Sequence, residues 1–159
     1  MSDQRHPAFL PNLKPERSLL EPSIYPFTTD IATRFQDLDM LGHINNVSMA
    51  GMFEEARYSF GIVLEIAKTL EGGRIVVGSV QLHYLAESFH GSPIWFGIGI
   101  GYIGQKSWRI RCLACQNDRP VMVGDASIVH SRHGATAPLP LKLREGLEHY
   151  RLKVPDREI

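Results

Sequence analysis

The segment DLDMLGHINN, residues 37–46, places Asp37, Asp39, His43, Asn45 and Asn46 within ten positions. Such a set could perform acyl-transfer chemistry. A carboxylate can attack a carbonyl or take a proton from water, and a histidine can order or relay that proton. The charge developing on the carbonyl oxygen needs donors as well. The residues that follow supply them if they begin a helix, because the first N–H groups of a helix are unpaired and sit at the positive end of its dipole. A plainer reading stands beside this one. Asp and Asn are ordinary turn residues, Asn46 and Ser48 are good N-caps, and a lone histidine is often hydrogen-bonded structure.

These side chains need elements to position them. Upstream, Phe27, Ile31, Thr33 and Phe35 nearly alternate with polar positions, which predicts a first strand over 27–36. Downstream, Ala50, Phe53, Ala56, Phe60, Val63, Ala67 and Leu70 recur at helical spacing, predicting one long helix from Asn46 to the Gly72-Gly73 stop, with Gly61 its weak point. Four apolar runs follow at 74–85, 94–103, 107–116 and 121–130, separated by turn signals, and read as antiparallel strands. In the second, Gly97, Gly99 and Gly101 alternate with Phe96, Ile98 and Ile100, so one face is nearly bare, and a helix pressed on it is the expected cause. One strand, a long helix and a meander of strands make an α+β domain in which a sheet of about five strands curls around one helix. A single helix covers only part of such a sheet. The uncovered apolar face and the open edges argue for a homodimer or homotetramer.

The domain is expected over 27–135. Before it, residues 1–26 carry Pro7, Pro11, Pro15, Pro22 and Pro26 and read as an extended arm, either free or draped over the core through Phe9, Leu10, Leu13, Leu19 and Leu20. After it, residues 136–159 hold one short amphipathic piece around 141–152 and a polar tail. Lys plus Arg and Asp plus Glu number 17 each, so no net field draws the chain to nucleic acid or an anionic membrane. Two cysteines are too few for a disulfide framework, and no run resembles a signal peptide or a membrane span, so a soluble, cytoplasmic protein is expected.

The longer string DLDMLGHINNVSMAGMFEEAR, with the strand VQLHYL, closely resembles the motif and element order of hotdog-fold thioesterases over about residues 27–130. The nearest parallels are acyl-CoA thioesterases related to 4-hydroxybenzoyl-CoA thioesterase and, at DLDM and HINNV, the plant acyl-ACP thioesterases. The resemblance implies hydrolysis of an acyl-CoA thioester, with CoA as part of the substrate and no separate cofactor. It implies that Asp39 is nucleophile or general base, that the backbone N–H at Asn46 polarises the carbonyl, and that His43 and Asn45 order the loop or a water. The acyl-ACP enzymes have an asparagine two residues before the histidine, where this chain has Leu41, so the analogy leans toward the acyl-CoA enzymes. Met49 also replaces an aromatic residue often found in the helix's first turn. Glu54 and Glu55 lie on the helix, and a second branch of the family uses a helix glutamate as its catalytic carboxylate, which points to Glu54 as a further site residue, although acidic residues early in a helix are also favoured by its dipole. Lys106 and Ser107 resemble a basic turn that contacts the nucleotide of CoA, while Arg109 and Arg111, alternating with Trp108 and Ile110, read as the wet face of a strand.

Cys112 and Cys115 have CxxC spacing but no second pair, and residues three apart on a strand face opposite ways, so they read as core thiols. His130 and His133 lack the acidic neighbours of a metal site. A hotdog module that binds acyl-CoA without turning it over is the rival reading, since fold alone does not settle function. A hotdog dehydratase fits less well, because the histidine does not precede the aspartate by two.

Overall fold

The computed structural model describes residues 15–153. Pro7, Pro11, Phe9, Leu10 and Leu13 of the expected arm lie outside them. In chain order the elements are β1 (Phe27–Ile31), α1 (Asn46–Val63), the short α2 (Ile66–Thr69), β2 (Arg74–Tyr84), β3 (Ile94–Ile103), β4 (Ser107–Gln116), β5 (Arg119–Arg132), β6 (Ala135–Thr136) and α3 (Leu141–His149). The strands form one antiparallel sheet in the order β1-β3-β4-β5-β2, with β6 added to β5. The sheet curls around α1 as expected. No helix among the described residues is long and apolar enough to cross a membrane.

α1 buries Met49, Met52, Phe53, Ala56 and Phe60 against Phe96, Ile98, Ile100, Ile110, Cys112, Met122 and Ala126, which face it at period two from the inner strands. Each large side chain so buried contributes about 1.5–3 kcal/mol. The close approach falls at Gly124, where an added Cβ would lie 3.1 Å from Leu82 and 3.2 Å from Phe53.

That placement corrects one expectation. The bare face of β3 points away from α1. A Cβ on Gly97 would meet Tyr25 at 2.8 Å, one on Gly99 would strike Leu152 and Pro26, and one on Gly101 would meet Arg111. Two chain segments flanking the sheet need that room. Leu19, Ile24 and Tyr25 pack with Leu113, Cys115 and Val123 into a second, smaller core on the outer face. The Tyr25 hydroxyl donates to Leu19 O at 2.7 Å, and Lys153 N–H donates to Ile24 O at 2.9 Å.

Two boundaries also differ. β1 stops at Ile31 rather than reaching 36, because residues 35–37 form a 3₁₀ turn closed by Arg34 and Asp37. The long helix breaks at Glu65, not at Gly61. Glu65 adopts a left-handed backbone, φ +49°, which lets Leu64 stay buried while α2 turns away.

Candidate active site

The loop between β1 and α1 is built on Asp37. Its carboxylate is buried and accepts from the Arg34 backbone N–H at 2.7 Å and the Arg34 guanidinium at 2.8 Å and 3.3 Å. The hydrogen bonds from Arg34 hold the Asp37 carboxyl below its usual range against the opposing effect of burial. Asn45 N–H donates to Asp37 O at 2.7 Å, so the loop's two ends are pinned together. Within it, Asp39 N–H donates to His43 O at 2.8 Å. Asp39 Oδ1 accepts from the N–H groups of Leu41 at 2.8 Å and His43 at 3.1 Å. Asp39 Oδ2 accepts from no described residue.

The helix begins at Asn46 as expected, but its cap lies one residue before the expected one. Asn45 is the N-cap: it is extended, and its Oδ1 accepts from Val47 N–H at 2.8 Å. Met49 N–H is the first to bond within the helix, to Asn45 O at 2.9 Å. The N–H groups of Asn46 and Ser48 therefore find no acceptor among the described residues. Asp39, His43, Asn46 and Met49 share one recess of about 300 Å³ with Tyr84, Glu87 and Ser88. A half-exposed carboxylate and the positive end of a helix thus face a common space.

The far wall of this recess comes from the connection after β2. Ile44 N–H donates to the buried Ser88 at its carbonyl, 2.8 Å. The His43 ring stands edge-on to Phe89 at 5.3 Å between centroids, and its Nδ1 lies 3.7 Å from Glu87 Oε1. Tyr84 hydroxyl donates to Asn46 O at 2.9 Å, and desolvation raises its pKa, so it remains a donor. Buried Gln116 clamps the connection: its Oε1 accepts from Phe89 N–H at 2.8 Å, and its Nε2 donates to Phe89 O and Ser92 O. Tyr84, Glu87 and Gln116 were missed in the sequence. Glu87-Ser88 read only as a turn, and nothing local marks contacts made across 24 or more residues.

The other expected site residues are not gathered here. Glu54 lines a separate groove on the later turns of α1. Lys106 and Ser107 lie in the β3–β4 turn, at the opposite end of the ten-residue β3 from the recess, roughly 30 Å away along the strand. Arg109 and Arg111 share Asp125 on the outer face, at 3.2 Å and 3.4 Å. Cys112 and Cys115 fall in the inner and outer cores respectively, and burial pushes both thiols up, Cys115 to about 11. His130 Nδ1 is occupied by the carbonyls of Ala137 and Pro138, at 3.1 Å and 2.8 Å.

Residues 33–147, a span that includes the loop, α1 and strands β2 to β6, match the thioesterase-like superfamily. The chain is 35% identical over 89 residues to YsmA of Bacillus subtilis (strain 168), an uncharacterized protein, with 56% of this chain and 60% of that one covered. It therefore spans less than two thirds of that curated relative. Its fold superposes on a predicted thioesterase from Bacillus stearothermophilus with a TM-score of 0.72, at 26% identity over 79% of this chain and 96% of the other. It also superposes on a thioesterase from Thermus thermophilus, complexed with coenzyme A and Zn, with a TM-score of 0.71, at 28% identity over 80% and 95%. Matched across most of its length and folded as a curled sheet around one helix, the chain belongs to the thioesterase-like superfamily and has the hotdog fold.

Proposed function

We propose that this protein hydrolyses an acyl-CoA thioester to the free acid and CoA. One observation carries the reading: the Asp39 carboxylate and the Asn46 N–H at the start of α1, which has no acceptor among the described residues, open on the same recess. With the thioester carbonyl oxygen toward Asn46 N–H, charge developing on it is met by that donor and the helix dipole. Asp39 either deprotonates a water, whose oxygen attacks while the proton it has taken passes to the departing CoA thiolate, or attacks with its own oxygen to form a mixed anhydride, which water then hydrolyses to the free acid while supplying the proton that CoA takes up. His43, with Glu87 beside its Nδ1, orders the loop or that water, and Asn45 holds the helix start. That the Thermus thermophilus structure contains coenzyme A supports CoA as the carrier.

The assembly we infer is a two-fold dimer. β2 is an eleven-residue edge strand whose Ile75, Val76, Val77, Val80 and Tyr84 are all exposed. Antiparallel pairing of β2 with its copy would bring the second copy's Lys106-Ser107 turn to the end of the assembly that holds Asp39. That arrangement gives these residues a route to the CoA phosphates that one chain does not offer. A second reading, binding without turnover, draws on the fact that Asp39 Oδ1 is already engaged in closing the loop. A panel of short, long and aromatic acyl-CoAs with detection of free thiol separates the two. Hydrolysis of at least one is expected; calorimetric binding with no thiol released over hours would establish the second reading instead.

A further inference from the structure

Beside the later turns of α1 lies a groove of about 640 Å³, larger than the recess at Asp39. Its walls are apolar: Ile66, Ile75, Val77, Trp108, Ile110 and Ile128. Into this lining comes Arg57, half buried, its guanidinium 4.9 Å from the centre of the Phe53 ring. Among the described residues Arg57 has no hydrogen bond and no ion pair, and its Nε is buried without an acceptor. The Nε1 of Trp108, in the same lining, is likewise buried and unmet. Of the groove's other charges, Glu65 is taken by Lys68 at 2.7 Å. Glu54 is exposed, and solvent screening leaves it a weak counter-charge. Burial lowers the Arg57 pKa against the attraction of Glu54, as expected for a cation partly withdrawn from water.

The groove and the recess lie along one stripe of α1. Asn46, Met49, Phe53 and Arg57 follow at intervals of three and four, so they share a face. On β2, Tyr84 lines the recess while Val77 and Ile75 line the groove. Eleven helical residues from Asn46 to Arg57 span about 16 Å at 1.5 Å each, the reach of about a dozen bonds of extended chain at roughly 1.2 Å per bond.

We propose that this groove receives the far end of the acyl group, and that Arg57 selects acyl groups ending in a carboxylate: mono-CoA thioesters of long α,ω-dicarboxylic acids. The proposal rests on the acyl-CoA reading above and names the substrate class of that site. The apolar walls take the methylene chain, and the planar guanidinium accepts a carboxylate through paired N–H donors. Binding an acceptor there meets the unpartnered donors of a half-buried guanidinium, which an all-apolar chain cannot do.

The test compares a length series of such mono-CoA thioesters with monocarboxylic acyl-CoAs of equal length, on wild type and on Arg57→Met and Arg57→Lys. Wild type should favour the carboxylate-ended member by about tenfold or more in kcat/KM at the matching length, from one charge-assisted contact. Arg57→Met should lose at least about tenfold more on that member than on its apolar counterpart, with Arg57→Lys between. Equal losses on both members, or no wild-type preference at any length, would overturn the proposal. So would a change of oligomeric size for Arg57→Met by gel filtration, since the guanidinium's partner would then belong to a second copy. If no acyl-CoA is hydrolysed at all, the hydrolase reading fails by itself. Calorimetric titration of free α,ω-diacids and equal-length monoacids then decides: tighter diacid binding that Arg57→Met abolishes supports the selection, and equal binding ends it.

Discussion

Replacing Asp39 by asparagine and by alanine separates chemistry from architecture, because the two jobs fall on different properties of one side chain. Asp39 Oδ1 accepts from Leu41 N–H at 2.8 Å and from His43 N–H at 3.1 Å. An asparagine keeps an acceptor oxygen at that position, so the loop closes as before. What it loses is the charge and the basicity. For Asp39→Asn we expect kcat to fall by at least ~10²-fold, about 2.7 kcal/mol of barrier at 1.36 kcal/mol per decade. Unfolding free energy should stay within about 0.5 kcal/mol of wild type. Asp39→Ala also removes the acceptor of both hydrogen bonds. At about 0.5–1.5 kcal/mol each, and toward the lower end in a partly exposed loop, this should cost about 1–2 kcal/mol of stability on top of the lost rate. Steady-state release of free thiol and urea denaturation of the same preparations read the two effects. Turnover of Asp39→Asn within threefold of wild type would refute the catalytic assignment and leave Asp39 as a loop-closing residue alone.

Three further outcomes follow from the same structure. Gly124→Ala places a methyl 3.1 Å from Leu82 and 3.2 Å from Phe53, so α1 or its side chains shift; a loss of about 1–3 kcal/mol in chemical denaturation is expected, and an unchanged midpoint would contradict the packing. Asp37→Asn should cost about 1–3 kcal/mol near neutral pH through loss of its charge-assisted bonds. Because the Asp37 carboxyl is held below its unfolded value of about 3.9, the unfolded chain binds the proton first; its contribution is complete above about pH 5 and drains away on acidification. The wild type should therefore lose more stability than Asp37→Asn between about pH 5 and 3, and parallel profiles would show that Asp37 does not act through its charge. Val76→Lys puts a charge on the exposed β2 edge and should shift the protein toward monomer in analytical ultracentrifugation; an unmoved dimer would place the interface elsewhere.

What could be read along the chain was whatever depends on near neighbours. The 3.6-residue recurrence from Ala50 to Phe60 marked α1, and alternation with turn signals marked the four later strands to within a few residues. The motif at 37–46 carried the family, since Asp39, His43 and Asn46 do line one recess. Local pattern misled where burial and packing decided the matter. Near-alternation over 27–36 looked like continuous strand, but burial of Asp37 against Arg34 turned the last third into a 3₁₀ turn. The glycines of β3 signalled a close approach correctly and its source wrongly: any apolar element can occupy a bare face, and Tyr25, Pro26 and Leu152 took it.

The sequence alone determined the fold class, the start of the helix and a carboxylate that shares a recess with its N-terminus, because propensity, capping and period are properties of adjacent residues. Only the tertiary structure decided which residues meet. It set Tyr84, Glu87 and Gln116 around the loop, sent Lys106 and Ser107 to the far end of the sheet and left Arg57 without a partner among the described residues in an apolar groove. Those relations come from strand order and register, which long-range burial fixes and no window of sequence contains.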